Sequence, residues 1–195
     1  MVKDDMSIFV CYNYQLQRGN ADLSNVKEVA VMHGVVTDIT ALKAGEAKVT
    51  LKNICYVIKL SAKVPSDAGI IKSVTLQATK TDGSDARFGY RGAAFVNDPY
   101  VEGHGNIYLH PELNLGNDFD NASGMGTGIS PDDSGHITAY LVAYTGMAQT
   151  LPAGATLEVK LRTQSTELNK SSTPLARGLT LKPGKMYRIN VDMTE

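Results

Sequence analysis

The sequence predicts an all-β fold, an antiparallel β-sandwich, and three observations lead there. Short stretches of β-branched and aromatic residues recur along the chain, separated by clusters of Gly, Pro, Asn and Asp. Only one place, a turn or two around residues 21–29 after Asn20, has room for a helix. The chain then closes on KPGKMYRINVDM (182–193), where Tyr187, Ile189, Val191 and Met193 alternate with Arg188, Asn190 and Asp192. That period of two is a strand with one face buried and one wet. At 195 residues the chain is expected to form a single domain, with a weaker alternative boundary near 62–69.

The first predicted strand is SIFVCYNYQL (7–16). NVKEVAVMHGVVTDI (25–39) follows, with apolar Val29, Val31, Val35 and Ile39 interrupted at Gly34. In AKVTLKNICYVIKLSAKV (47–64), Val49 and Leu51 stand on one phase, while Ile54, Tyr56, Ile58 and Leu60 stand on the other. That change of phase predicts a bulge or bend near Lys52-Asn53. IIKSVTLQATK (70–80) comes after a turn at Pro65–Gly69, and it and 47–64 are expected to be neighbouring strands joined by that turn. HITAYLVAYT (136–145) and ATLEVKLRTQ (155–164) flank a turn at LPAG (151–154). Before the closing strand, Pro183 presets φ and Gly184 is free to take positive φ, which predicts a turn holding that strand beside its own sheet.

Between these elements, 97–136 is rich in Gly, Asn and Asp and holds one short strand, NIYLH at 106–110. Loops this long in a compact domain are commonly functional or disordered. Net charge is −1, without a basic block or acidic tail, so nothing favours nucleic acid or an anionic membrane surface. No apolar run approaches the ~18–20 residues of a membrane-spanning helix. The opening MVKDDMSIFVCYNY has two early acids and too short an apolar run for a signal peptide. Cys11 and Cys55 allow one disulfide or two buried thiols, and do not make a disulfide framework.

No enzyme constellation emerges, and no cofactor is expected. His33, His104, His110 and His136 match no zinc spacing, and no cysteine stands near them in sequence. GMGTG (124–128) has glycines without the lysine, strand and helix of a phosphate cradle, so a flexible loop accounts for it. NDFDNASG (117–124) offers Asp118 and Asp120 for calcium, but Ala122, Ser123 and Ile129 stand where further ligands and the turn glycine belong. A solvated polar loop explains the same residues. Tyr12, Tyr14, Phe88, Tyr90, Tyr100, Tyr108 and Phe119 could line a sugar platform, with Tyr100, Tyr108 and Phe119 the candidates in or beside the long loop. Alternate tyrosines in strands pack in cores or at sheet edges just as well, and the chain has no Trp.

The order of segments then carries a resemblance. LKNICYVIKLSAKVP…GIIKSVTLQA, a loop with GNIYLHPEL, HITAYLVAYTGMAQTLPAGATLEVKLRT and LTLKPGKMYRINVDM together resemble the fimbrillin-like family of surface and pilus subunits. The closing signature stands as Gly184-Lys185-Met186-Tyr187, and the likeness covers about residues 47–193. The resemblance implies a transthyretin-like sandwich, exported to the cell surface and outer membrane and held there by a lipid anchor outside this chain. It implies a non-enzymatic shaft, tip or anchor subunit, or an adhesin. Its partners would be other fimbrial subunits or further copies of itself, joined by strand exchange, with a host glycan or protein as a further ligand. A stand-alone carbohydrate- or host-ligand-binding module is the alternative. Strand exchange works by β-augmentation, in which edge hydrogen bonds give affinity and alternate side chains give register. Tyr187, Ile189, Val191 and Met193 would be the plugs if the closing strand is the donor. Otherwise they complete the chain's own sandwich, and 7–16 is a second candidate donor, with Arg18-Gly19 a conceivable processing site.

Overall fold

The computed structural model describes residues 8–12, 32–36, 38–46, 48–53, 55–86, 89–90, 109–110, 112–115, 128–144 and 149–194. The expected helix at 21–29, the calcium-like stretch 117–124 and the processing site at Arg18-Gly19 lie outside them. In chain order the first elements are β1 (Ile8–Tyr12), β2 (Met32–Val36), α1 (Ile39–Ala44), β3 (Lys52–Asn53), β4 (Cys55–Lys63) and β5 (Ser73–Thr79). Short β6 (Asp85–Ala86), β7 (Gly89–Tyr90), β8 (Leu109–His110) and β9 (Glu112–Leu115) follow. The chain continues through β10 (His136–Tyr144), β11 (Gln149–Leu151), β12 (Thr156–Arg162), β13 (Glu167–Ser171), β14 (Leu179–Leu181) and β15 (Met186–Asp192).

The fold is essentially all-β, as the strand pattern predicts. One five-stranded sheet runs β15-β4-β10-β7-β8, and a second runs β13-β12-β5-β6, with β9 also pairing β5. A three-stranded sheet, β1-β2-β3, and a two-stranded ribbon, β11-β14, complete it. Alternation explains how the two large sheets meet in a sandwich-like arrangement. Tyr56, Ile58, Leu60 and Ala62 of β4, with Ile137, Ala139 and Leu141 of β10, turn to one side and are buried. Val74, Leu76 and Ala78 of β5 and Val159 and Leu161 of β12 belong to the same core cluster. Each fully buried Leu or Ile contributes on the order of 1.5–3 kcal/mol of transfer free energy, so this shared core is the main stabilising term. Leu151 and Leu181 of the ribbon are buried in it as well.

Several local expectations change in three dimensions. Segments 47–64 and 70–80 are not sheet neighbours, because β4 and β5 belong to different sheets. Both are apolar on alternate residues, a pattern equally satisfied by stacking across a core. The change of phase near Lys52-Asn53 coincides with the passage of the chain from one sheet to another. β3 pairs with β2, and from Cys55 the chain runs in the large sheet beside β10. β2 runs through Gly34, which pairs with Val10. The short helix α1 was not expected. Asp38 caps it by accepting the Ala41 N–H (2.9 Å), and Gly45 closes it at φ 75°.

One glycine is required by contact. Gly128 has φ 103°, and a Cβ there would lie 2.5 Å from Ile70 Cγ2 and 2.6 Å from the Ile71 carbonyl oxygen. The close approach lets Ile129 and Ile71 exchange two backbone hydrogen bonds, each 2.9 Å. Both isoleucines are thereby held in the core.

Candidate functional site: an open sandwich edge

The closing strand lies at the edge of its sheet. β15 pairs with β4 over seven positions, from Met186↔Val57 to Asp192↔Lys63, and the pairing is parallel. Among the described residues the paired strands are therefore antiparallel except at this ladder. The Pro183-Gly184 turn, with Gly184 at φ 72°, does not make a hairpin. β14 before it pairs with β11, whereas β15 after it joins the large sheet. Tyr187, Ile189 and Val191 share the inward face with Ile58, Leu60 and Ala62 but are only half-buried, and Met193 is buried. Arg188, Asn190 and Asp192 face solvent.

Tyr187 fastens this strand. Its phenol oxygen accepts the Lys182 N–H (2.7 Å), and its O–H donates to the Thr180 carbonyl (3.1 Å). Its ring meets that of fully buried Tyr56 edge-on, with centroids 5.9 Å apart at 89°. Burial, and secondarily the neighbouring Tyr187, raises the Tyr56 phenol far above its ordinary pKa, so it stays neutral. Tyr187→Phe keeps the ring contact and removes both hydrogen bonds. A loss of about 1 kcal/mol is expected, read as a lower urea midpoint with an unchanged slope.

Beside β15 lies a groove of about 280 Å³ between the two large sheets. Leu157 and Val159 of β12 line one side, Ile189 and Val191 of β15 the other, and Lys170 and Asp192 also line it. Lys170 lies on β13, whose register pairs it with Val159 and so turns it inward. Among the described residues no strand pairs with the outer edge of β13 or of β15. The hydrogen bonds of Asp192 to Thr194, and then the nearby Lys63 and Lys170 ammoniums, hold its carboxyl below the usual carboxylate range. Its contact with Lys63 is long (3.8 Å) and exposed, so it contributes little. On the other face of β15 a more open hollow, also about 280 Å³, is lined by Ser61, Lys63, His136, Asn190 and Asp192.

The cluster nearest to catalytic geometry is Asp132, Ser134 and His136. Ser134 Oγ lies 3.0 Å from His136 Nδ1, but Asp132 Oδ1 accepts the Ser134 hydroxyl (2.7 Å) together with the N–H groups of Ser134 and His136. A relay needs the carboxylate on the far ring nitrogen. Here it closes a turn into β10, as Asp82 does with Ser84. Among the described residues no three His, Cys, Asp or Glu side chains gather as a metal site, and no helix is long and apolar enough to cross a membrane.

Of the residues singled out from sequence, the structure brings Ile189 and Val191 to the groove, while Tyr187 and Met193 pack against the core. Tyr100, Tyr108 and Phe119 lie outside the described residues. Cys11 lies in β1 and Cys55 opens β4. Sequence reasoning missed β13 and its Lys170. The available signal was the TQST turn (163–166), where Thr163 and Thr166 exchange hydrogen bonds, followed by alternating Leu168 and Lys170. No family model matches the chain, and no curated protein matches it.

Proposed function

We propose that the protein is a non-enzymatic, fimbrillin-like subunit of the cell surface, with a transthyretin-like sandwich, that assembles by β-strand addition at the β13–β15 edge. The segment order and the closing Gly184-Lys185-Met186-Tyr187 support the family reading. The observation that carries the assembly reading is the groove, where half-buried Ile189 and Val191 face Leu157 and Val159 between two edge strands. An added strand would cover these side chains and pair with an edge. Its partner would be another copy or another subunit.

The experiment is an unheated denaturing gel of the native surface extract beside a boiled sample, repeated with two edge variants. Lys185 accepts from Val57 N–H and Met193 N–H donates to Lys63, so alternation turns the N–H groups of Arg188, Asn190 and Asp192 outward. The ladder of β12 with β13 turns the N–H of Asn169 outward in the same way. Asn190→Pro and Asn169→Pro each remove an outward donor from an edge strand, where proline is tolerated. A ladder of oligomers that collapses on boiling and is lost in a variant that still folds is expected. A single monomer band in every lane would overturn the assembly reading.

A further inference from the structure

We propose that Lys170 makes the groove selective for an extended peptide strand presenting a carboxylate on its inward face, and that it turns away strands apolar along that whole face. The inference rests on the strand-addition reading above. Lys170 is half-buried on the inward side of an edge strand, opposite Val159, which is 3% exposed. An inward-pointing charge is a recognised device against uncontrolled edge pairing. The neighbouring charges of β12 do not oppose it, because Glu158 and Lys160 alternate to the outer face and pair with each other at 3.3 Å. Across the groove the opposing charge is Asp192, which is already bonded to Thr194 and lies beside Lys63.

A strand added to the free edge of β13 brings its inward side chains to ~4.5–5.5 Å from Lys170, measured between Cβ atoms. If all of them are apolar, the ammonium loses water and gains no partner, which is costly. A Glu or Asp at that position supplies the opposite charge, while its apolar neighbours cover Leu157 and Val159. Attraction for the right strand and a penalty for the wrong one thus arise from a single side chain.

The test uses the full chain and dye-labelled peptides of alternating Val and Thr on a soluble glycol tail. The central Val is kept or replaced by Glu or Lys, and binding is read by fluorescence anisotropy. Uniform alternation lets the Glu peptide slide until its central residue meets Lys170, whereas the all-Val and Lys peptides have no register that gives the ammonium a partner. The Glu peptide is expected to bind about tenfold more tightly than the Lys peptide, with the all-Val peptide between them. Lys170→Glu should invert that order. Lys170→Met, which keeps the apolar stem, should abolish the discrimination and tighten the all-Val peptide. Equal binding of all three to the native chain would overturn the role of Lys170 while leaving strand addition standing. Binding of none would overturn both, and an unchanged preference in Lys170→Met would assign the selection to another group.

Discussion

A chain truncated after Lys182 is expected to lose its cooperative thermal transition. β15 supplies half-buried Tyr187, Ile189 and Val191 and the whole ladder along one side of β4, and Met193, just after it, is buried. Counting about 1 kcal/mol for each half-buried side chain and about 2 for Met193, the apolar term alone reaches about 5 kcal/mol. That equals the lower end of the ~5–15 kcal/mol that stabilises a typical domain. Loss of the Tyr187 hydrogen bonds and exposure of the β4 edge add to it. Circular dichroism with a heat ramp reads the result directly. A truncated chain that still melts sharply would mean that β15 is dispensable to its own sandwich and free to act as a donor. Ile189→Asp tests the same point with one side chain, since it aims a carboxylate at the groove and at the core face beside Leu60.

Leu60→Ala should destabilise the protein by about 2–5 kcal/mol. Leu60 is fully buried on β4, between Ile189 of β15 and Ala139 of β10. It belongs to the same core cluster as the buried residues of β5 and β12, and a close-packed core between two sheets can fill a cavity only by distorting them. The adjacent Lys59 is the control. It faces the opposite side, with its ammonium 5.8 Å from the centre of the Tyr140 ring. Its truncation to Ala should cost no more than about 1 kcal/mol. Urea unfolding of the two variants separates them, and equal losses would contradict the assigned faces of β4.

Alternation made most strands legible. β4, β5, β10, β12 and β15 all lie inside predicted stretches, because a strand with one buried face writes its period of two into the sequence. β13 escaped because an edge strand has less to bury, and its inward set mixes Leu168 with Lys170. The helix α1 escaped because six residues carry too little periodicity, although Asp38 and Gly45 mark its ends. The candidate site was half-legible. Ile189 and Val191 stood out by their period, whereas Leu157, Val159 and Lys170 come to them only through the stacking of two sheets.

By itself the sequence determined the all-β class, the inward and outward faces of the long strands, and the turn at Pro183-Gly184, because these depend on neighbours a few residues apart. Tertiary structure alone decided which strands share a sheet, that β15 runs parallel to β4 at the edge, and that its apolar face opens on a groove facing Lys170. Side-chain alternation says which face of a strand is buried. It carries no information about the strand beside it or the sheet above it, since any apolar face satisfies another.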